Sequence, residues 1–279
     1  MKNHFDHISF ECSKLVTQRY STSFTLGTRM LASKHRKHIY NIYGFVRFAD
    51  EIVDSFHNFD KNDLLKKFEE DLGHALDSRI SLNPILNSFQ YTVHKNNIHQ
   101  DLIDAFLKSM NMDLYKRKYN TEEEYEEYIY GSADAVGLMC LNVFLEGDER
   151  LYQQLKAPAM ALGSAFQKVN FLRDLNADFE ILDRTYFPNL DLTNFNEKSK
   201  ATIISEIELD FDHALEGIFM LPGSARLGVY TAYKYYRKLL DKLKKTPSKK
   251  IKSARIRVPN YQKMSVLAQS YLKFHLNLL

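Results

Sequence analysis

Apolar residues recur every three or four positions along most of the chain, a spacing that is typical of amphipathic α-helices. No alternation of apolar and polar residues is long enough to indicate a β-strand. The pattern therefore predicts an all-α fold with roughly a dozen helices. Helices are predicted over residues 34–56, 61–79, 83–96, 100–116, 121–130, 151–182, 201–221, 223–244 and 259–278, with an early helix and a serine-rich turn within 8–32, a turn at 183–188 and a linker at 194–200.

The helix predicted over residues 34–56 carries a stripe of polar side chains. Tyr43, Arg47, Asp50 and Asp54 are three or four residues apart, so they lie on one side of the helix. Apolar residues surround the stripe, which indicates a largely buried helix. Two inward-facing carboxylates repel each other and lose hydration, so a neutralising cation is expected beside them. Mg²⁺, bound through oxygen, has the right chemistry.

A second polar stripe lies on a later helix, again among apolar neighbours. Its residues are Gln167, Asn170, Arg173, Asp174 and Asp178. Two acidic helices that face each other across a cavity would hold Mg²⁺ between their carboxylates and the oxygens of a diphosphate. The alternative for both stripes is a solvated face with surface salt bridges.

The two stripes resemble the motifs of the squalene and phytoene synthases, which are head-to-head prenyl transferases of the trans-isoprenyl diphosphate synthase class. The family's first motif, an Arg followed by a DDxxD-like run, matches residues 47–54, with Glu51 where many members have Asp. Its second motif, Gln-x-x-Asn-x-x-Arg-Asp-x-x-x-Asp, matches residues 167–178 and is more specific. Residues 184–188 resemble its Arg-x-Tyr-hydrophobic-Pro segment. The resemblance extends from about residue 21 to residue 257.

This resemblance implies a single-domain isoprenoid synthase fold over residues 1–279, with a helical bundle around a deep apolar cavity. It implies Mg²⁺, with Mn²⁺ as a substitute, and the condensation of two geranylgeranyl diphosphates to phytoene through a cyclopropylcarbinyl diphosphate, a step of carotenoid biosynthesis. No NADPH is expected, because the chain lacks a Gly-x-Gly-x-x-Gly motif. Two alternatives stay open: a C30 squalene or dehydrosqualene synthase that uses farnesyl diphosphate, and a non-catalytic assembly-factor relative.

The resemblance also assigns roles to individual residues. The implied metal ligands are Asp50, Asp54, Asn170, Asp174 and Asp178, of which the four aspartates are also catalytic, together with Tyr43, Tyr128 and Tyr186. The implied substrate-binding residues are Ser21, Ser23, Phe24, Arg47, Gln167, Asn170, Arg173, Tyr236 and Arg255.

Three local features allow two interpretations each. The hydroxyls of residues 21–24 either cradle a diphosphate or cap a helix. Asp134 stands where the family has Gly, and is either another acid near the metal or a hydrogen-bonding group at a helix kink. The small residues Ala161, Gly163, Ser164 and Ala165 either form the wall of a prenyl tunnel or let two helices pack closely.

The composition limits which kinds of partner and which cellular compartment are expected for the protein. The formal net charge is +3, so no nucleic-acid partner is expected. Cys12 and Cys140 form no disulfide framework or metal pattern, which favours reduced thiols in the cytoplasm. The first 14 residues contain no apolar signal core, and residues 135–145 are too few to span a bilayer. The absence of a C-terminal membrane anchor favours a carotenoid enzyme. The sequence does not predict the oligomeric state.

Residues 237–257 contain ten Lys or Arg residues and one acid, Asp241. This stretch is a solvated basic face, a segment attracted to the inner face of an anionic membrane, or an arm that returns Arg255 or Arg257 to the diphosphate. The second alternative corresponds to a cytoplasmic protein in peripheral contact with the membrane.

Overall fold

In the computed structural model, residues 2–180, 184–188, 190 and 195–276 are described, without the side chains of residues 178–180. The expected all-α fold is confirmed. The helices are α1 (Lys2–Tyr20), α2 (Thr22–Arg29), α3 (Ser33–Ser55), α4 (Lys61–Ser78), α5 (Pro84–Asn96), α6 (Gln100–Tyr115), α7 (Glu122–Ile129), α8 (Ala135–Leu145), α9 (Glu149–Glu180), α10 (Glu197–Met220), α11 (Gly223–Lys245), α12 (Ser248–Ile251) and α13 (Asn260–His275), with a π-helix (Tyr130–Asp134) between α7 and α8.

Side-chain caps set several of the helix starts, as the sequence pattern suggested. The hydroxyl oxygen of Thr121 accepts a hydrogen bond from the amide of Glu124 at 3.3 Å, which opens α7. The linker expected at 194–200 is wrong from residue 196 onwards. Asn196 caps α10, because its side-chain oxygen accepts a hydrogen bond from the amide of Lys198 at 2.9 Å.

A buried aromatic cluster fixes the orientation of α3. The ring of Phe45 stacks on that of Phe89 of α5, with 3.9 Å between centroids, and packs against that of Phe106 of α6 at 5.3 Å. Ala49 and Val53 are buried on the same side of α3. Because one side of the helix is held in the core, the opposite polar stripe must face elsewhere.

Helix α9 packs along α10 on one side and against α8 and the π-helix on another. Gly163 is the closest point of contact with the π-helix. A Cβ atom there would lie 2.9 Å from the carbonyl oxygen of Ala133 and 3.0 Å from the Cα of Asp134, both backbone atoms. The close packing of α9 on the π-helix therefore requires glycine at this position.

Helix α8 continues the helical path of α7 and the π-helix. By length and composition alone, the longer stretch Glu122–Leu145, which includes residues 135–145, is sufficient to cross a bilayer. However, 56% of its most apolar window is buried inside the protein, as in the core helix of a globular fold.

Candidate active site

An apolar cavity of about 290 Å³ is lined by both helices that carry the polar stripes. Tyr43 of α3 and Gln167 of α9 line it, and each stands about two turns before a motif aspartate on its own helix. Tyr43 of α3 also lies near Tyr236, whose hydroxyl donates to Asn170 of the second motif, so both motifs lie at one end of the cavity, which we call the mouth. The wall contains Phe24, Gly27, Thr28, Leu31, Ile39, Tyr43, Val46, Ser132, Ala133, Val136, Gly137, Cys140, Leu141, Phe144, Leu155, Pro158, Ala159, Leu162, Gly163, Phe166, Gln167, Ala214, Gly217, Ile218, Leu221, Gly228, Val229, Ala232 and Tyr236.

In the first motif, Arg47 holds two acids at once. Its Nη1 donates to Oδ2 of Asp50 at 2.6 Å, and its Nη2 donates to Oε2 of Glu51 at 2.8 Å. The guanidinium also lies over the ring of Tyr20, 4.4 Å from the centroid. Glu51, the residue that departs from the family motif, thus orients Arg47 and also accepts a hydrogen bond from Ser55.

Asp50 and Asp54 form an incompletely neutralised pair at the mouth. About a third of each side chain is exposed, 32% and 31% respectively. The surrounding protein desolvates Asp50 and raises its pKa, and the charge of Asp54 raises it further, against the lowering effect of Arg47. Two arginines, Arg47 and Arg184, hold the three acids Asp50, Glu51 and Asp54, so one negative charge is left unbalanced and an added cation would be stabilised there.

In the second motif, Asp174 is held by two arginines. Nε of Arg173 donates to its Oδ1 at 2.9 Å, and Nε of Arg255 lies 2.8 Å from the same oxygen. The return of Arg255 from the basic stretch to the second motif is thus seen in the structure. Asn170 accepts a hydrogen bond from the hydroxyl of Tyr236 at 3.4 Å. The side chain of Asp178 lies outside the described residues.

The turn before α2 places an aromatic pair at the cavity. The hydroxyl of Ser21 caps α2, because it accepts a hydrogen bond from the amide of Phe24 at 3.2 Å. Phe24 stacks on Tyr43 with 4.7 Å between centroids, and burial raises the pKa of Tyr43 to about 12. Ser23 is half-buried and lies outside the lining. The capping role is thus observed, whereas the diphosphate cradle stays a prediction.

Tyr128 and Tyr186 lie beside the cavity, in an aromatic cluster, and neither is part of the described lining. The ring of Tyr186 stacks on Phe171 at 4.0 Å and on Tyr128 at 5.2 Å. Tyr128 is 3% exposed, and its hydroxyl donates to Asp113 at 2.7 Å. The catalytic roles that the sequence assigned to these two tyrosines stay predictions.

Arg184 and Asp113, which were not assigned to the site from the sequence, hold Asp54 in position. Nη1 of Arg184 donates to Oδ1 of Asp54 at 2.7 Å, and its Nη2 donates to the backbone oxygen of Asp113 at 2.9 Å. Burial raises the pKa of Asp113 to about 7, and the nearby Arg184 lowers it. A signal for Asp113 was present, since it follows Phe106 and Met110 at helical spacing and so shares their buried face.

The far side of α9 carries a separate group of charges, which we call the back cluster: Asp134, Ser164, Lys168, Glu206 and Asp210. Ser164 donates to Asp134 at 2.8 Å. Nζ of Lys168 lies 3.0 Å from Asp210 and also pairs with Glu206. Asp134 is therefore the hydrogen-bonding group at the π-helix, the second of its two sequence interpretations, and lies outside the cavity lining.

Of the small residues Ala161, Gly163, Ser164 and Ala165, only Gly163 lines the cavity, and it also packs closely on the π-helix. Ser164 belongs to the back cluster, Ala165 is fully buried in the core, and Ala161 lies outside the lining. The cavity face of α9 instead includes Ala159, Leu162 and Gln167. Ala159, Leu162 and Phe166, at intervals of three and four residues, share one side of the helix, and Gln167 lies next to Phe166.

The donor chemistry at the mouth fits a hard divalent cation. Carboxylate oxygens of Asp50, Asp54 and Asp174 and the amide oxygen of Asn170 are ligands that Mg²⁺ accepts. No three acidic, histidine or cysteine side chains converge on one point within the part of the chain that the structure describes, which omits the carboxylate of Asp178. Arginines hold these aspartates in position: Arg47 holds Asp50, Arg184 holds Asp54 and Arg173 holds Asp174.

Comparisons with known proteins agree with the resemblance seen in the motifs. The family model described as squalene/phytoene synthase matches residues 17–262. A phytoene synthase from Arthrospira platensis is 28% identical over 297 aligned positions, which cover 95% of this chain and 93% of the relative. A 15-cis-phytoene synthase from Synechocystis sp. is 28% identical over 295 positions, covering 95% of this chain and 85% of the relative.

Solved structures show the same fold. A dehydrosqualene synthase in complex with a ligand has a TM-score of 0.83 and 22% identity, covering 96% of this chain and 98% of that one. A squalene synthase from Alicyclobacillus acidocaldarius has a TM-score of 0.73 and 22% identity, covering 84% and 92%. The expected isoprenoid synthase fold is thereby confirmed.

Proposed function

The chain belongs to the squalene/phytoene synthase family, and from that premise we propose that it condenses two geranylgeranyl diphosphates head to head to give phytoene, in carotenoid biosynthesis. The observation that carries this proposal is the meeting of two acidic, arginine-rich motifs at one end of an apolar cavity. Phytoene synthases among the relatives support the C40 product.

The cavity suits the hydrocarbon part of such substrates, and the mouth suits the diphosphate. Apolar walls bind a prenyl tail by excluding water from it. Arg47, Arg173 and Arg255 present guanidinium groups, which donate charge-assisted hydrogen bonds to phosphate oxygens. Each of the three is now paired with a carboxylate of its own motif, so an incoming diphosphate would compete with an acid for each of them.

Mg²⁺, or Mn²⁺ in its place, would be held by Asp50, Asp54, Asn170, Asp174 and Asp178 and would withdraw charge from the departing diphosphate. The chain's own residues then orient the reaction. Arg184 donates a hydrogen bond to Asp54, and Arg47 donates one to Glu51. These bonds hold the groups that face the diphosphate in place.

Ionisation of the first substrate leaves an allylic cation among aromatic rings. Phe24 with Tyr43, and Phe166 with Tyr236, form stacked pairs in the cavity wall, with centroids 4.7 Å and 4.0 Å apart. Ring faces attract cations, especially where water is excluded. The double bond of the second substrate attacks this cation and a proton is lost, which gives a cyclopropylcarbinyl diphosphate.

A second loss of diphosphate, a rearrangement and loss of another proton give phytoene. Two diphosphates and two protons leave overall, so no reductant is consumed. NADPH would be needed only for a squalene-type product, in which a hydride replaces the final proton loss.

Product analysis with single substrates tests the proposal. Purified protein with Mg²⁺ is given farnesyl or geranylgeranyl diphosphate separately, and the hydrocarbon is identified by mass. We expect a C40 triene from geranylgeranyl diphosphate. A C30 hydrocarbon alone would assign the chain to squalene or dehydrosqualene synthesis, and the absence of hydrocarbon from both substrates would contradict the enzymatic function.

A further inference from the structure

Helix α13 is apolar on two opposite sides. Its inner side rests on α2 and α11, with Ser270 only 1% exposed and Phe274 close to Gly223. Its outer side is a second apolar stripe that no other described residue covers. The exposed fractions on this stripe are 71% for Tyr261, 54% for Met264, 48% for Tyr271, 60% for Leu272 and 64% for Leu276 just beyond the helix.

The region around this stripe is strongly basic. From Lys242 to the last residue the sequence contains ten Lys or Arg residues and no Asp or Glu. Lys234, Lys263 and Lys273 form no ion pair with any acid in the described part of the chain. Burial lowers the pKa values of Lys234 and Lys263, and nearby cations, Lys273 for the first and Arg257 for the second, lower them further.

The stripe also lies directly behind one wall of the cavity. Phe24, Gly27 and Thr28 of α2 and Val229 and Ala232 of α11 line the cavity, and α13 packs on the outside of these two helices. Packed helices lie about 8–10 Å apart. A flat surface that covered the outer side of α13 would therefore approach to within about two helix spacings of the bound substrate.

We propose that the outer stripe of α13, together with the basic segment 249–257, docks on an anionic phospholipid bilayer. An interfacial helix of this kind inserts apolar and tyrosine side chains at headgroup level, while lysines remain with the phosphates. Each Lys or Arg near an anionic surface adds about 1 kcal/mol of attraction. The bilayer would deliver lipid substrates to the cavity and accept a hydrocarbon product that does not dissolve in water. This benefit of docking rests on the proposed function.

A second copy of the chain is a poorer occupant for this stripe. In a two-fold symmetric dimer the same surface meets itself, so the cations around α13 would face cations. A nucleic acid would pair with the lysines but would leave Met264, Leu272 and Leu276 without apolar partners. Only an anionic bilayer offers both negative charge and apolar depth.

Vesicle flotation of the purified chain tests the proposal without any substrate, so its result does not depend on the proposed reaction. Vesicles of phosphatidylglycerol and phosphatidylcholine are compared with phosphatidylcholine alone, at low and high salt. We expect binding to the anionic vesicles that weakens with salt, and at least a tenfold loss in the double variant Met264→Asp/Leu272→Asp. The matched control Leu82→Asp/Leu209→Asp changes two leucines that are 92% and 71% exposed elsewhere and should bind as the parent does.

A second pair of variants tests the charge. Lys249→Glu/Lys250→Glu should weaken binding to the anionic vesicles at least tenfold, whereas Lys66→Glu/Lys67→Glu on α4 should not. Turnover of detergent-dispersed substrate should be unchanged in all four double variants. Equal binding by the α13 variant and its control would overturn the proposal, as would a concentration-dependent dimer that Met264→Asp/Leu272→Asp abolishes, or tighter binding to duplex DNA than to the vesicles.

Discussion

Helix α9 carries charged groups on two opposite sides, and the two groups differ in what surrounds them. On the cavity side, Asp174 meets Arg173 and Arg255, and half of the Arg255 side chain is exposed. On the other side, Lys168 is 11% exposed and pairs with Glu206 and Asp210 of α10. Both groups contain acids and bases at hydrogen-bonding distance. Only the first opens onto a cavity.

This difference separates a binding site from a structural tie. At the mouth, the arginines and carboxylates are partly exposed, so each can exchange its present partner for a diphosphate oxygen or a cation. In the back cluster, the side chain of Lys168 pairs with Glu206 and Asp210 outside the cavity lining, and the hydrogen bond from Ser164 to Asp134 ties α9 to the π-helix. The adjoining apolar cavity, rather than the number or the exposure of the charges, indicates where the chemistry takes place.

The largest expected effect is that of Asp50→Asn on turnover. Loss of a charge that stabilises the departing diphosphate should reduce the rate by about 100-fold or more. The melting temperature should stay the same or rise, because the pKa of Asp50 is raised by burial and by Asp54, so its charge costs stability in the folded state. Steady-state kinetics and a thermal melt of the same preparation measure both.

Glu51→Gln is the matched control, one residue away on the same helix. Glu51 is bound to Arg47 and Ser55, so its loss should act on the site only through Arg47 and should reduce turnover by less than about tenfold. Equal losses for the two variants would show that Glu51 is a direct ligand or sets the charge of the whole motif.

A substitution in the back cluster is expected to lower stability and leave turnover unchanged, the opposite of the result expected for Asp50→Asn. Lys168→Met leaves Glu206 and Asp210 without their cation and should lower the free energy of unfolding by about 2–3 kcal/mol, while turnover per folded molecule stays near that of the parent. Chemical denaturation measures the first quantity. Lys156→Met, an exposed position on the same helix, should change neither. A large fall in turnover without a fall in stability would place Lys168 in the catalytic machinery.

Larger side chains on the two sides of α9 should distinguish positions that limit the length of the substrate from positions that affect only helix packing. Ala159 lines the cavity roughly 22 Å along the helix axis from Asp174, on the scale of an extended prenyl tail. Ala159→Phe should lower turnover of geranylgeranyl diphosphate about tenfold more than that of farnesyl diphosphate. Ala161→Phe, which lies about 200° away on the helix, should depress both alike if it has any effect. A uniform fall for Ala159→Phe would remove α9 from the determinants of chain length.

Gly163 is unsuitable for this comparison, although its position on the wall suggests it. Any Cβ at Gly163 meets the backbone of residues 133–134, so Gly163→Leu would destabilise the contact between α9 and the π-helix before it altered the cavity.

The smallest expected effect is the pH dependence of stability from Asp134. Burial raises its pKa from 3.8 to about 7, so the folded state holds the proton more tightly than the unfolded state. The free energy of unfolding of the parent, relative to that of Asp134→Asn, should therefore fall by about 1–3 kcal/mol as pH rises from about 4 to about 7. Above that pH the difference should stay constant. Urea denaturation of both proteins at pH 5 and pH 8 measures it. A constant difference between the two proteins would show that Asp134 ionises normally.

Helical spacing was sufficient to predict most of the helices, but not α8, α12 or the π-helix, and to place the residues of each motif on one side of its helix. Residues at intervals of three and four share a side whatever the helix packs against, so Asp50, Asp54 and Asp174 could be assigned from the sequence. The return of Arg255 needed the family resemblance as well, because 81 residues separate it from Asp174.

What could not be predicted depends on packing between distant segments. Arg184 reaches Asp54 across 130 residues, and nothing in the local pattern of either segment indicates that contact. The run of small residues before the second motif did not show which members face the cavity, because Ala161 and Gly163 differ by about 200° around the helix. The role of Glu51 likewise could not be predicted, because it depends on where the side chain of Arg47 lies.

The most direct test of the account is the metal dependence of hydrocarbon formation from geranylgeranyl diphosphate. With Mg²⁺ the purified chain should release phytoene. In excess EDTA release should stop, and it should return when Mg²⁺ is added back. Full turnover in excess EDTA would contradict the claim that the acids at the mouth act through a divalent cation, and no hydrocarbon under any of these conditions would contradict the claim that the mouth is catalytic at all.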